Sequence, residues 1–310
     1  MKKVIGLGSL PQDLIAASLG QGFEFISEPL EKDYADAQAA IVRADFDFTK
    51  AIFDSMPALL AIARTGVGTE RVDVAEATRR GIPVIITPGS NSQAVAEGTF
   101  AHMLALAKRL PVLTELVRSS GWSQRESVRV LDLEGKTLAL VGYGRISRIV
   151  ASLGLAFGMD VKAFDPFAAI PKELRSGSLE ELIQGSHFLS IHVPLSSETR
   201  NLISTKELSA LADGAIVVNC SRGGIVDLDA ALVALESGQL LGVGLDSFEP
   251  EPAIHHRIFD NPNVLLSPHV MGLSQSAKNN TYVMAAQGIR DFLTGKKVEA
   301  IINPEIKGDK

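Results

Sequence analysis

The stretch that decides the fold is Thr137-Leu-Ala-Leu-Val-Gly142-Tyr-Gly144-Arg-Ile-Ser147. An apolar run, Thr137 to Val141, ends in a glycine turn. A helix-patterned segment follows to Phe157, and a second apolar run ends at Asp165. This succession of strand, tight turn and helix suits a dinucleotide: glycines let the backbone approach the pyrophosphate, and the helix N-terminus offers unpaired N–H groups. Asp165 lies about twenty residues past Gly144, the place of a carboxylate that accepts hydrogen bonds from ribose hydroxyls. Ser147 stands where a third glycine is usual, and its side chain is small enough for close helix packing. Phe167, Ala168 and Ala169 offer no cation for a 2′-phosphate, so NAD is expected over NADP. Two other glycine pairs are weaker. Gly6-Leu-Gly8 is followed by Pro11 and reads as a strand-to-helix turn of another domain, and Gly242-Val-Gly244 enters a strand rather than a helix.

Outward from this motif the same alternation continues. Short aliphatic runs recur at Val4–Leu7, Ala39–Val42, Leu60–Ala63, Pro83–Ile86, Val161–Phe164, Phe188–His192, Ile216–Asn219, Val243–Leu245 and Val264–Leu266, separated by helix-patterned segments. Uninterrupted apolar strands alternating with helices indicate parallel sheets covered on both faces, an α/β fold. The longest helical pattern runs from Ser92 to about Arg118, and Pro111 should kink or break it. A final pattern, Ser276–Leu293, ends at Gly295 and leaves a short tail to Lys310. No repeat of fixed period is present.

The chain has 310 residues, 30 Lys plus Arg against 36 Asp plus Glu, and a net charge of −6. An acidic balance argues against nucleic acid as a partner. With 46% hydrophobic and 21% charged residues the chain is an ordinary globular one, long enough for two domains. The single cysteine, Cys220, excludes a disulfide framework and any multi-cysteine metal site and fits a cytoplasmic protein. Met1-Lys2-Lys3 and the following apolar run mimic a signal peptide, but two glycines and Pro11 suit a strand and turn better. No apolar stretch is long enough for a membrane helix.

Chemistry-bearing residues follow three consecutive strand patterns. Arg222 lies in Val217-Val-Asn-Cys-Ser-Arg-Gly-Gly-Ile-Val-Asp227, Glu249 and Glu251 in Leu245-Asp-Ser-Phe-Glu-Pro-Glu-Pro252, and His269 in Ser267-Pro-His-Val-Met-Gly272. Ligands of open α/β sheets sit at such strand ends. With RTGVG at 64–68, TPGSNSQAVAE at 87–97, GYGRIS at 142–147 and HVPLSSET at 192–199, these motifs identify the chain as similar to the D-isomer-specific 2-hydroxyacid dehydrogenases, and within them most like the 3-phosphoglycerate dehydrogenases.

The resemblance implies two doubly wound parallel-sheet domains. A Rossmann-type NAD-binding domain, residues 94–275, would be inserted into a flavodoxin-like substrate domain, 1–93 plus 276–310, with the active site in the cleft between them. It implies Arg222 gripping the substrate carboxylate and carbonyl oxygen, His269 as general acid, and Glu251 holding the imidazole and favouring its charged form. Glu251 is preferred to Glu249 because the family's glutamate stands directly before a proline, five residues after the aspartate. For the coenzyme it implies Gly142, Gly144, Arg145 and Ile146 at the pyrophosphate, Asp165 at the ribose, Val193 and Pro194 near the adenine, and Cys220, Asp246 and Gly272 around the nicotinamide. Backbone N–H groups of Gly66-Val67-Gly68 would bind the substrate carboxylate as well. Arg43, and less directly Arg64, match candidate phosphate ligands, and Arg125 or Arg129 would reach a partner subunit's site.

Glu70-Arg71, Ile86 and Ser147 depart from the family's usual residues. The implied reaction is interconversion of a small anionic 2-hydroxy acid and its 2-keto acid, 3-phosphoglycerate being the first candidate, with glyoxylate or hydroxypyruvate reduction as the rival. A non-enzymatic NAD-sensing corepressor is the alternative of another class. A homodimer built on the coenzyme domain is implied, and no metal, membrane or nucleic acid is expected. Two domains and a tail leave no room for a C-terminal regulatory domain, so feedback by serine through one is not expected.

Overall fold

The computed structural model describes residues 1–43 and 45–306. The end of the tail, at Lys310, lies outside the described residues. The chain divides into two compact units, residues 1–91 with 274–310, and residues 92–273.

The first unit is built on five parallel strands, β1 (Lys2–Leu7), β2 (Phe23–Ile26), β3 (Ala39–Val42), β4 (Ala61–Arg64) and β5 (Val84–Ile85), in the order β2-β1-β3-β4-β5. This is the flavodoxin-like order, with its switch between β1 and β3. β3 and β4 are buried on both faces, which is why they read as unbroken apolar runs. The helix Gln275–Leu293 returns from the far end of the sequence and buries Ala277, Ala285, Ala286 and Ile289, the last three in one cluster with Val4, Ile15, Ile41 and Ala63. Beyond it Ile301 pairs with Ile85, and the buried Asn303 accepts the Val84 N–H at 2.9 Å while donating to the Ile82 carbonyl at 3.0 Å.

The second unit holds six parallel strands, β6 (Thr137–Val141), β7 (Asp160–Phe164), β8 (Phe188–Ile191), β9 (Ala215–Asn219), β10 (Leu240–Leu245) and β11 (Val264–Leu266), in the order β11-β10-β9-β8-β6-β7. The outer edge of β7 is also paired. The Ala163 N–H donates to Leu174 O at 2.6 Å, and the Ser176 N–H donates to Ala163 O at 2.9 Å. This three-residue vestige of a strand, 174–176, completes the Rossmann order, in which the strand sequence reverses between β6 and β8.

The helical pattern expected over 92–118 is two helices, Ser92–Ala107 and Leu110–Arg118. The break precedes Pro111: Arg109 adopts the left-handed conformation (φ 54°), and the proline occupies the first turn of the second helix, where its missing N–H costs nothing. Arg109 is held there by bonds to Leu241 O (3.1 Å) and Asn263 Oδ1 (2.6 Å). No described helix is long and apolar enough to cross a membrane.

Candidate active site

In the second unit the register aligns Leu245 with both Asn219 and Leu266, so the loops after β9, β10 and β11 leave one edge of the sheet side by side. They carry Arg222, Glu251 and His269.

Each loop is shaped by its own polar residues. Asn219, buried at the end of β9, accepts from the Ser221 N–H (3.0 Å) and hydroxyl (2.7 Å) and donates to Arg222 O (2.7 Å), closing the turn that presents Arg222. Part of the Arg222 guanidinium bonds Ser221 O at 2.8 Å. A Cβ on Gly223 would overlap the backbone of Phe248 and Glu249, so the Arg222 turn packs directly on the loop after β10. Gly223→Ala is therefore expected to cost about 3 kcal/mol of stability, the upper end for an overpacked site, because the obstacle is main chain that cannot rotate away. Urea unfolding with an unchanged midpoint would refute the contact.

Asp246 organises the third loop. Its Oδ1 accepts from the Ser267 hydroxyl (2.6 Å) and the Val270 N–H (3.0 Å), and its Oδ2 from the Met271 N–H (3.1 Å). Between these anchors His269 is held at φ 53°, a conformation rare outside glycine and kept only where its surroundings enforce it. Because the Ser267 hydroxyl donates to Asp246, it accepts from Nε2–H of the buried His102 (3.1 Å). Burial pushes the His102 imidazole below its ordinary range, opposed by Asp246, so it is neutral with its proton on Nε2.

His269 Nδ1 faces both oxygens of Glu251, at 3.0 and 2.9 Å. The Phe248 N–H donates to Glu251 Oε1 at 3.0 Å and fixes the carboxylate. Glu249 is engaged elsewhere, in a bidentate pair with Arg200 at 2.6 and 2.8 Å. With Nδ1 committed to Glu251, Nε2 is the nitrogen left to exchange a proton.

The β6 turn is open where a dinucleotide would need space. A side chain on Gly142 (φ 89°) would meet His192 O at 2.8 Å, whereas nothing lies within 4 Å of a Cβ on Gly144, the N-cap of the helix Arg145–Ala156. The first-turn N–H groups of that helix, including those of Arg145 and Ile146, have no intrahelical partners. Ser147 is fully buried, as a third glycine would be, and its hydroxyl has no partner among the described residues. Asp165 accepts the Tyr143 N–H on Oδ2 (2.8 Å) and those of Phe167 (2.8 Å) and Ala168 (3.0 Å) on Oδ1. Burial raises its pKa, but the three amides outweigh that and hold it below the usual carboxylate range, so it is ionised at neutral pH. These residues fit a dinucleotide.

Val193 and Pro194 follow β8, and Gly272 closes the His269 loop. Cys220, packed at the end of β9, has its thiol pushed up to about 12 by burial, opposed by the neighbouring Thr99 hydroxyl and aided by Asp246. A buried, protonated thiol is a poor nucleophile. Ellman's reagent is expected to leave the native thiol untouched at pH 8 and to titrate it only after unfolding; rapid reaction of the native protein would contradict this burial.

In the first unit, the Val67 and Gly68 N–H groups have no partner among the described residues. The turn is braced by the Gly66 N–H donating to Thr87 Oγ1 (2.8 Å) and by the buried Arg64, which bonds Gly68 O (2.9 Å) and Arg43 O (2.6 Å). Burial lowers the Arg64 pKa. Arg43 pairs with Asp45 at 3.2 Å and bonds Ser9 O at 3.3 Å. Arg125 pairs with Glu126 at 2.9 Å, and the Arg129 guanidinium lies against Gly214.

The strand order, the glycine turn and the ionised Asp165 define a Rossmann-type dinucleotide fold. Residues 100–271 match the family model described as D-isomer specific 2-hydroxyacid dehydrogenase, NAD binding domain. The chain is 34% identical to D-3-phosphoglycerate dehydrogenase of Bacillus subtilis over 89% of its own length and 54% of that protein's. It is 34% identical to glyoxylate reductase of Thermococcus litoralis, over 87% of this chain and 84% of that one. The crystal structure of D-lactate dehydrogenase from Aquifex aeolicus, complexed with NAD and lactic acid, superposes with a TM-score of 0.80 at 26% identity, covering 100% of both chains. The chain thus belongs to the D-isomer specific 2-hydroxyacid dehydrogenase family. It spans about half the length of the phosphoglycerate dehydrogenases it matches.

Proposed function

We propose that the chain is an NAD-dependent D-2-hydroxyacid dehydrogenase. The observation that carries this reading is the His269–Glu251 pair on loops that leave the same sheet edge as Arg222. Bound NADH would supply the hydride. Arg222 receives the carboxylate and carbonyl oxygen of the 2-keto acid, and its planar fork sets their orientation. His269 delivers the Nε2 proton to the carbonyl oxygen as charge develops there. Glu251 fixes the ring and compensates the imidazolium. Asp165 accepts from the ribose hydroxyls, and Gly142, Gly144, Arg145 and Ile146 hold the pyrophosphate, with Val193 and Pro194 toward the adenine and Cys220, Asp246 and Gly272 toward the nicotinamide. The unpartnered amides of Val67 and Gly68 support a second carboxylate contact.

The first substrate to try is 3-phosphohydroxypyruvate, with Arg43 on its phosphate. A second reading, an unphosphorylated acid such as glyoxylate or hydroxypyruvate, is favoured by the Arg43–Asp45 pair, which a phosphate would have to displace. NADH oxidation against a panel of 2-keto acids separates them. Arg43→Ala should raise KM for 3-phosphohydroxypyruvate at least about tenfold, the worth of one charge-assisted hydrogen bond, and leave hydroxypyruvate nearly unaffected. Equal KM values in both proteins would hand the site to the smaller acids. No turnover of any acid would refute the enzyme and leave the NAD-sensing alternative.

A homodimer suits the helix Leu110–Arg118, which buries none of its side chains and, with the following turn, exposes Leu110, Val117 and Trp122. The buried thiol of Cys220 supports a cytoplasmic location.

A further inference from the structure

The glutamate that does not face His269 has a task of its own. Every residue from Glu249 to His255 is exposed, so little apolar packing holds the path that brings Glu251 to the imidazole. The neighbouring loops are locked independently, the Arg222 turn by Asn219 and the His269 loop by Asp246. The Glu251 segment is tethered by side chains instead: Glu251 accepts the Phe248 N–H, and Glu249 receives two parallel N–H bonds from Arg200, at 2.6 and 2.8 Å. Arg200 stands on a firm base. Beside it the Asn201 N–H donates to Gly224 O at 2.8 Å, the Ile203 N–H to Ile225 O at 3.1 Å, and the Asp227 N–H to Ile203 O at 2.9 Å. The strip after β8 is thereby fixed to the residues that follow Arg222. The ion pair lies directly on Gly224, where a Cβ would overlap Glu249 Oε2 and come within 3.2 Å of Arg200 Nη1. The guanidinium holds the Glu249 carboxyl below the usual carboxylate range, so the pair is charged at neutral pH.

We propose that Arg200 and Glu249 are positioning residues for the reaction: their ion pair ties the Glu251 segment to the turn that carries Arg222, and so fixes where Glu251 meets His269. This rests on the reading of His269 as the proton donor and Glu251 as its orienting partner. The two side chains are 52% and 40% exposed, and an ion pair so open to water contributes little to folding stability. Its worth lies in placement, since a displacement of about 1 Å at a reacting group costs up to about 10²-fold in rate.

NADH oxidation is measured with whichever 2-keto acid the unmutated protein turns over, beside urea unfolding of each variant. Arg200→Ala should lower kcat about tenfold and leave KM for NADH and the urea midpoint unchanged. Glu249→Gln, which can accept only one of the two bonds, should show a loss of the same kind. Arg200→Lys, which keeps the charge without the fork, should recover part of the rate. In a Glu251→Ala background the Arg200→Ala change should cost nothing further, because no carboxylate is left to place. A kcat unchanged in both Arg200→Ala and Glu249→Gln, the full loss repeated on top of Glu251→Ala, or a loss that tracks a lowered urea midpoint refutes the positioning role. An unmutated protein that turns over no 2-keto acid overturns the proposed function itself, and the positioning role with it.

Discussion

His269→Ala is expected to lower kcat for 2-keto acid reduction about 10³-fold while NADH binding stays intact. The magnitude is that of a lost general acid, for which two to four powers of ten are usual. The loss belongs in kcat because the imidazole's work is done as charge appears on the carbonyl oxygen, and an interaction made mainly in the transition state leaves ground-state binding little changed. Geometry makes the loss specific. Asp246 accepts the Val270 and Met271 amides, so the loop keeps its path without the side chain. Glu251 remains held by the Phe248 N–H. Glu251→Gln should cost less, because the ring would still be oriented through Nδ1. The double variant should be little worse than His269→Ala alone, since Glu251 acts through the imidazole. NADH binding followed by fluorescence separates chemistry from coenzyme. Turnover within tenfold of the unmutated enzyme would remove His269 from the mechanism.

Arg222→Lys is expected to lower kcat/KM at least about 10²-fold although the charge is preserved. A guanidinium meets a carboxylate with two parallel N–H donors, and each charge-assisted bond is worth about 1.5–3 kcal/mol. An ammonium is a point charge that cannot reproduce the pair. The turn is built for this side chain: the Asn219 amide bonds Arg222 O, and one Arg222 N–H anchors on Ser221 O. Arg222→Gln should lose more. Both effects should appear largely in KM for the acid and leave NADH affinity near its original value. A lysine variant with unaltered kcat/KM would show that the acid is recognised elsewhere.

Legibility differed with the length of each element. The run Ala39–Val42 is a strand with the limits its apolarity suggests, because a buried parallel strand has no reason to admit polar residues. β2 has no such signature: Phe-Glu-Phe-Ile at 23–26 is an edge strand with an exposed Glu24, too short for its alternation to stand out. Pro111 draws attention to a break, but the break lies at Arg109, whose tertiary bonds to Leu241 and Asn263 no local pattern reveals. The glutamates of Leu245–Pro252 look interchangeable in composition. Their partners, His269 for one and Arg200 for the other, are distant in sequence and meet only through the sheet.

The excursion of the chain out of the first unit and back bears on how the protein is made. Residues 92–273 are contiguous, so on the ribosome their sheet and core can close before Ser274 appears. The first unit has no such independence. The Val84 amide waits for Asn303, 219 residues later, and the helix that covers its sheet comes only slightly sooner. The first unit is begun before residues 92–273 are made and finished after them. Until then Val4, Ile41 and Ala63 lack the cover that Ala285, Ala286 and Ile289 give them in the finished fold.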